Sequence, residues 1–485
     1  MARVFRSANS TAKAALVALL AIGALFTLFD LADGPAPLMA PLPLDIVCLV
    51  VGLVPAMVGA ATRRRFDIFE PIHLISVAFT LTTGVRALYL ITYRTAVYTR
   101  IPSDDLIGAA LALSVLGLLA VYAGYYSGIG DDLAASVRPW RALWVGEFRY
   151  PPTIIAIAAI IGLAAMIVLG GEAVSVEGQR SVLDEAGLFW LVPLSFCAPF
   201  ALYMMLLNLQ QRRANLARLG ALGCMLFLIV TFFLLRPSKI WIFRLVFYPL
   251  VFYHYRRRTL PPLRSALVGG VLVTVFFAGM VIAHAYVYAF SYDSGETLHY
   301  LGTRLDNPRE FFDLLLARFY GIDSIAVIIE HVRQTGHYLM GSSLAEVLYW
   351  FVPRAVWPGK PYTFSYTFGR LFGGYVGWGG DSFATTTVFG ELYFNFGILG
   401  VVAGSFIFGV FARGVYAYLV GKIQTKSAII LYAICLIQLV EFTEGPIGAH
   451  VALMSSEIAP FLMLLYLTWA AGSFGRRGPA FRRSP

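Results

Sequence analysis

Long apolar runs recur along the chain, and they restrict its fold more than any other feature of the sequence. Backbone N–H and C=O groups that face lipid must be hydrogen-bonded within their own segment, so an apolar run of about 20 residues is predicted to be a membrane-spanning helix. Twelve runs qualify: 13–31, 43–61, 71–93, 106–127, 153–170, 186–208, 216–235, 239–254, 265–290, 386–412, 427–443 and 451–472. Hydrophobic residues make up 59% of the sequence and charged residues 13%, which excludes an ordinary soluble domain. The prediction is an all-α polytopic membrane helix bundle in which residues 1–485 form a single integral membrane domain.

Positive charge lies in every second connection between these runs. Those connections and the two tails hold 23 of the 37 Lys and Arg residues. The short connections on the other side hold only Arg94, Arg100, Arg180, Arg236 and Lys239. Because cytoplasmic connections are enriched in Lys and Arg, both termini are predicted to be cytoplasmic, including the basic tail 473–485. Nine spans (13–290) then precede a large external loop, 291–385, and three spans (386–472) follow it. The net charge of +10 is explained by this distribution, so no nucleic-acid partner is expected.

The four cysteines carry no sign of a disulfide or a metal site. Cys48, Cys197, Cys224 and Cys435 all fall in apolar runs, without metal-ligand spacing, and are predicted to be small buried hydrophobic residues. The chain also lacks a nucleotide fingerprint, an acidic metal pair and the H-E-x-x-H and G-x-S-x-G motifs. No metal and no cofactor is therefore predicted.

The external loop 291–385 is predicted to contain two amphipathic helices. Asn307-Pro308 has the form of a helix start, and apolar residues then recur at helical spacing from Phe312 to Ile329. Ser343 and Glu346 have the spacing of a capping box, which would open a second short helix that ends before Pro353. Both helices are expected to lie on the bundle at the outer membrane surface.

A rigid, basic and aromatic segment follows these helices. It begins at Phe351 and contains Arg354, Trp357 and Lys360 among three prolines. Cations fixed in this way suit a phosphate or diphosphate, although they could equally anchor the loop to lipid headgroups or to helix ends. Trp357 could stack on a sugar ring or belong to an interfacial aromatic belt. Three further outward cations are candidate ligands for an anionic substrate: Arg318, Arg236 and Arg180.

Three side chains are candidates for proton transfer. Glu391 lies inside an apolar run, with Tyr393 and Asn395 as neighbouring substrate-binding candidates, and an intramembrane carboxylate is a functional hypothesis by default. Its alternative role is a structural ion pair with an inward arginine, such as Arg86 or Arg244. Asp323 could face the site or be a solvated surface charge. His331, like His337 and His450, is expected to be external and could act as a base.

Three runs of residues resemble the bacterial oligosaccharide repeat-unit polymerases of the O-antigen polymerase (Wzy-type) family. They are ARFYGIDSIAVIIEHV (317–332), FVPRAVWPGKP (351–361) and GELYFNFGILG (390–400). The resemblance covers the last third of the chain. Gly359 departs from it, since an acidic residue is common at that position in the family.

The resemblance implies a GT-C-like membrane glycosyltransferase in the bacterial inner membrane. Its reaction would be a metal-independent, inverting transfer on the periplasmic face, joining undecaprenyl-diphosphate-linked repeat units into O-antigen, capsule or exopolysaccharide. Such a reaction needs cations at the leaving diphosphate and a base at the acceptor hydroxyl. The implied partners are the lipid-linked oligosaccharides, membrane lipids and a polysaccharide chain-length regulator.

Two other functions compete with this interpretation. An O-antigen ligase would use the same donor but join the glycan to a lipid A core, and the P-R-x-x-W-P-x-K-P element favours the polymerase. A polysaccharide or lipid transporter belongs to a different class. The sequence shows neither an inverted repeat nor the paired broken helices that are typical of transporters.

Overall fold

The computed structural model describes residues 41–55, 67–94, 101–140, 150–172, 191–209, 223–224, 226–227, 239–256, 319, 321–354, 356–372 and 386–473. Its helices are α1 (Pro41–Gly52), α2 (Pro71–Tyr93), α3 (Asp104–Tyr126), α4 (Ile129–Ser136), α5 (Pro152–Glu172), α6 (Leu191–Ser195), α7 (Cys197–Leu209), α8 (Lys239–Arg256), α9 (Gly321–Thr335), α10 (Glu346–Tyr349), α11 (Phe364–Phe372), α12 (Val388–Tyr416), α13 (Lys426–Glu441) and α14 (Ile447–Ser473). π-Helical turns lie within α2 at Thr80–Val85 and directly after α12 at Ala417–Ile423. No strand occurs among these residues, so the predicted all-α class is confirmed for this part of the chain.

In the part of the chain that the structure describes, four helical segments are long and apolar enough to cross a membrane. They are Pro71–Tyr93, Asp104–Tyr126, Val388–Ile423 and Ile447–Ala470, and each overlaps a predicted span. Shorter apolar helices at Pro41–Gly52, Pro152–Val168 and Leu191–Met205 overlap three more. The spans predicted at 13–31, 216–235 and 265–290 lie wholly or mostly outside the described residues.

α3 is the central helix of the part of the bundle formed by α1, α2, α9 and α12. It is apolar and buried around most of its circumference, as expected for a helix with neighbours on all sides. Glycines bring it into backbone contact with α12, because a Cβ at Gly124 would collide with the carbonyl oxygen of Phe406. In the same way, a Cβ at Gly409 would collide with the carbonyl oxygen of Val121. Small residues therefore set the distance between these two helices.

Gly409→Ala is expected to destabilise the protein by about 1–3 kcal/mol, because the added methyl group meets backbone atoms that cannot move aside. The matched control is Gly421→Ala in the π-helical turn after α12, where an added Cβ has open space. Thermal unfolding of both purified variants measures the difference. Equal melting temperatures would show that the contact between α3 and α12 is looser than described.

Three connections that are predicted to be cytoplasmic meet at one end of the bundle. Arg256, at the end of α8, donates to the carbonyl oxygen of Gln424 at 2.8 Å. Lys422 Nζ donates to the carbonyl oxygens of Ala134 and Val137 at 3.0 and 2.8 Å, and so satisfies the C-terminal end of α4. Parts of the chain almost 300 residues apart are thus joined at this end.

Asp67, just before α2, forms a second junction at that end. Its carboxylate accepts hydrogen bonds from the Tyr255 and Tyr416 hydroxyls at 2.7 and 2.9 Å and lies 3.1 Å from His254 Nε2. Burial alone would raise the pKa of Asp67, but the contacts with His254, Tyr255 and Tyr416 outweigh burial and lower it. This junction therefore stabilises the fold at neutral pH and is lost as the pH falls through the lowered pKa.

The helices predicted in the external loop are partly confirmed. Residues 307–318 lie outside the described part, and α9 then runs from Gly321 to Thr335. It packs against α3 and α12 within the core, not on an outer surface, because its apolar face is matched by theirs. The short helix α10 ends before Pro353 as predicted, but the capping box is wrong, since the Ser343 hydroxyl bonds to Glu391. One cysteine prediction also fails: Cys224 is exposed, whereas the other three are buried.

Candidate functional site

A break in α12 shapes the region that contains most of the candidate residues. Gly397 has φ 65° and ψ −157°, a conformation that glycine adopts without steric cost. The break releases backbone carbonyl groups from the helical pattern. Those of Phe394 and Asn395 accept hydrogen bonds from the N–H groups of Leu339 and Met340, at 2.9 and 3.2 Å. The segment that follows α9 is thereby docked onto the broken helix.

Glu391, six residues before the break at Gly397, holds three parts of the chain together. Its side chain is fully buried, and Oε1 accepts a hydrogen bond from Ser343 Oγ at 2.6 Å. Oε2 accepts one from the N–H of Ile447, the first residue of α14, also at 2.6 Å. Asn395 Nδ2 donates to Ser343 Oγ at 2.7 Å, while its Oδ1 accepts from the N–H of Gly341. We call Glu391, Ser343, Asn395 and Ile447 the Glu391 clasp.

The hydrogen-bond partners of Glu391 exclude one of the two roles predicted for it, the ion pair with an arginine. A carboxylate at the N-terminus of α14 is stabilised by the helix dipole and by a backbone N–H, without a cationic partner. The predicted ion pair with Arg86 or Arg244 is wrong, since Arg86 pairs with Asp323 and Arg244 with two other glutamates. The catalytic role of Glu391 stays a prediction. Its neighbour Tyr393 is also buried, with its ring against that of Tyr338.

Asp323 belongs to a buried ion pair. Arg86 Nε and Nη2 each lie 2.9 Å from one of its carboxylate oxygens, so the contact is bidentate. Both side chains are about 1% exposed. The alternative interpretation of Asp323 as a solvated surface charge is therefore wrong, and the pair joins α9 to α2 inside the bundle.

Arg354 and Lys360, the two cations of the P-R-x-x-W-P-x-K-P element, hydrogen-bond to backbone carbonyl groups of the loop 350–362, which lies between α10 and α11. Lys360 is buried, and its Nζ donates to the carbonyl oxygen of Trp350, the residue after α10, at 3.1 Å. Arg354 donates from Nη1 to the carbonyl oxygen of Lys360 at 2.6 Å and from Nη2 to that of Pro361 at 3.2 Å. Its guanidinium carbon also lies 4.4 Å from the centre of the Tyr362 ring. Of the two roles proposed for Lys360, anchoring at a helix end is confirmed.

The same loop presents apolar and aromatic side chains outward. Val356 and Trp357 are 75% and 42% exposed, and Phe351 and Tyr362 are also exposed. The Trp357 ring rests against Tyr349 of α10, with centroids 5.8 Å apart. The loop thus combines a partly exposed guanidinium with aromatic faces on one rigid turn.

His331 is partly exposed, unlike the proton-transfer candidates Glu391 and Asp323. Its ring lies 5.4 Å from that of Phe372 and 5.6 Å from that of Phe394, in both cases edge to face. Phe372 ends α11, the helix that directly follows the loop 350–362. Glu391 and Asp323 are buried and hydrogen-bonded, whereas His331 remains partly exposed at this aromatic cluster.

The other predicted residues have mixed outcomes. Arg180, Arg236 and Arg318 lie outside the described residues. His337 is exposed and His450 is buried, and the external side of the membrane predicted for both stays a prediction. Among the described residues, no group of His, Cys, Asp and Glu side chains could hold a metal ion.

Sequence reasoning missed three polar residues of these contacts. Ser343 was assigned to a helix cap, and its true partner gives no local signal. Glu346 accepts a hydrogen bond from the N–H of Phe364 at 3.0 Å, which ties α10 to α11. Glu457 is a buried carboxylate within a predicted span, and that position alone could have identified it.

Comparison with known proteins places this region in an uncharacterised family. A family model described as a domain of unknown function (DUF8712) matches residues 190–433, about half of the chain. The match includes the loop 350–362, His331 and Glu391, and it ends before α14. No curated protein and no solved structure matches the chain.

Proposed function

We propose that this chain, which belongs to the DUF8712 family, is a glycosyltransferase. In this proposal it polymerises undecaprenyl-diphosphate-linked oligosaccharide repeat units. The observation that carries the proposal is the loop 350–362. There the element that resembles the O-antigen polymerases folds into a hydrogen-bonded turn with Arg354 at its edge and exposed aromatic rings beside it. A diphosphate joined to a sugar needs both kinds of contact.

The chemistry is a single inverting displacement. A hydroxyl oxygen of the acceptor repeat unit bonds to the anomeric carbon of the donor glycan, and the bond from that carbon to the diphosphate oxygen breaks. The leaving undecaprenyl diphosphate keeps the electron pair, and Arg354 stabilises its added charge. The acceptor proton passes to His331, which is partly exposed beside α11. Arg180, Arg236 and Arg318 complete the set of donor-binding cations in this proposal.

In this proposal the protein lies in the bacterial inner membrane and has about twelve spans. Its termini are cytoplasmic and its loop 291–385 is periplasmic. The gathering of Arg256 and Lys422 at one end of the bundle supports the assignment of that end to the cytoplasm. A chain-length regulator is the protein partner in this scheme.

One observation favours the transporter as a second candidate. Broken membrane helices such as α12 often line ion or substrate sites with their free carbonyl groups. Here the carbonyl oxygens of Phe394 and Asn395 already accept hydrogen bonds from the N–H groups of Leu339 and Met340, which leaves each with one lone pair for a ligand. The polymerase ranks above the transporter because of the loop 350–362. The ligase differs from it only in the acceptor.

Deletion of the gene, followed by separation of the surface glycans by size, distinguishes these functions. Single-repeat products indicate a polymerase, and absence of glycan from its final acceptor indicates a ligase. Repeat units retained on the cytoplasmic side indicate a transporter. Unchanged surface glycan would refute all three.

Arg354→Ala is expected to reduce polymer formation about 100-fold, because the leaving diphosphate loses its main cationic contact. Arg354→Lys should recover only part of the activity, since lysine keeps the charge but cannot bind two oxygens at once. Binding of undecaprenyl diphosphate to the purified variants separates the substrate contact from the loop contacts. The matched control is Arg370→Ala on α11, an exposed cation outside the loop. Normal polymer length in folded Arg354→Ala would contradict the role of Arg354.

A further inference from the structure

A buried charge cluster joins α8, α13 and α14, apart from the residues that the proposed function uses. Arg244 of α8 lies between Glu441 of α13 and Glu457 of α14. Its Nη2 is 3.0 and 3.1 Å from the two carboxylate oxygens of Glu441, and its Nη1 donates to Glu457 Oε1. Two carboxyl groups thus share one guanidinium.

Among the described residues of this cluster, one guanidinium faces two carboxyl groups, so the charges do not balance if both carboxyl groups are ionised. Arg244 and Glu457 are 3% and 1% exposed, and Glu441 is 16% exposed. An uncompensated carboxylate in a low-dielectric interior is costly, and such groups become neutral instead. One of the two carboxyl groups is therefore expected to be neutralised.

The number of hydrogen-bond donors favours Glu457 over Glu441 as the ionised partner. Its Oε1 accepts from Arg244 and from Gln438 Nε2, the latter at 2.8 Å, and its Oε2 accepts from the Tyr248 hydroxyl at 2.7 Å. Every one of these neighbours is a donor. A carboxylate that accepts from three donors is stabilised in its charged form.

Glu441 has the opposite environment. A single nitrogen of Arg244 contacts it, and it is the last residue of α13, where the helix dipole disfavours negative charge. One turn earlier on the same face lies Gln438, whose Oε1 is buried and has no hydrogen-bond partner. A proton on Glu441 would give that oxygen a donor. A metal cation would instead be repelled by the adjacent guanidinium.

We infer that Glu441 is a proton-binding site, reached from the connection between α13 and α14. Glu444 is exposed in that connection, and its backbone N–H donates to the carbonyl oxygen of Glu441 at 2.8 Å, which places it between Glu441 and water in this proposal. The same short connection leads to Ile447 of the Glu391 clasp. Loss of the proton leaves the cluster with one excess negative charge, which weakens the packing of α13 against α8 and α14. Proton occupancy is thereby coupled to the clasp, independently of any glycan transfer.

Other charged and titratable groups surround this site on each element. They are Arg244 and Tyr248 on α8, Tyr203 on α7, Glu457 and His450 on α14, Glu444 in the connection, and Glu346 and Glu391 at the N-terminus of α14. Glu441 is the carboxyl group that lies one turn along the same helix from Gln438, whose buried Oε1 has no hydrogen-bond partner.

Infrared difference spectroscopy of the purified protein tests the inference directly. The wild type should show the carbonyl band of a protonated carboxylic acid that disappears as the pH is raised, and Glu441→Gln should lack this band. A band that persists in Glu441→Gln, or that is lost in folded Glu457→Gln instead, would overturn the assignment. Absence of any pH-dependent band from the wild type would also overturn it.

Thermal unfolding as a function of pH is the second measurement. The folded protein binds a proton that the unfolded chain releases at neutral pH, so the melting temperature of the wild type should fall as the pH rises. Glu441→Gln mimics the protonated form and should weaken this dependence, whereas the control Asp132→Asn, an exposed site on α4, should keep it. The inference fails if Glu441→Gln has the wild-type pH dependence.

Discussion

Glu391→Ala is expected to lower the free energy of unfolding by about 4 kcal/mol. The substitution leaves the Ser343 hydroxyl and the Ile447 N–H without an acceptor in a site that is fully buried, and each unsatisfied buried donor costs about 1–3 kcal/mol. Glu391→Gln should cost roughly half as much, because its one carbonyl oxygen can still accept from one of the two donors. Thermal unfolding of the purified variants measures both effects. The control is Asp105→Asn, an exposed carboxyl group at the start of α3.

The Glu391 variants also separate structure from chemistry. If Glu391 acts only through the clasp, the polymer formed per folded molecule should stay normal in Glu391→Gln. A stable but inactive Glu391→Gln would assign it a direct part in the reaction. A fully stable Glu391→Ala would instead refute the clasp, since two buried donors cannot lose their acceptor without cost.

The sequence predicted helices well because the signal for a span is local. Apolar length alone identified Pro71–Tyr93 and Asp104–Tyr126, and the periodic stripe identified α9. The same stripe was compatible with a helix on a surface. Whether an amphipathic helix faces water or a polar partner depends on residues elsewhere in the chain, and Arg86 is such a residue.

The partners of the polar residues could not be predicted for the same reason. Glu391 was recognised as unusual from its position in a span, but its partners are a hydroxyl group and a backbone N–H. These groups are too common to give a sequence signal. Asp323 and its partner are separated by 237 residues, so no periodicity connects them.

The pair of Arg86 and Asp323 gives the second large expected effect. Asp323→Asn should destabilise the protein by about 3–5 kcal/mol, because it removes the carboxylate charge that the fully buried Arg86 guanidinium contacts through two hydrogen bonds. Arg86→Met should cost a similar amount by leaving the carboxylate unpaired. Combining Arg86→Met with Asp323→Leu removes both charges and should restore much of the loss.

A double-mutant cycle on these variants tells the structural role from the catalytic role predicted for Asp323. If the pair serves only to join α9 to α2, the double variant should regain polymer formation together with stability. Stability without activity would mean that Asp323 also takes part in the reaction. Additive destabilisation, with no recovery in the double variant, would contradict the ion pair itself, because two residues in bidentate contact must show coupling energy.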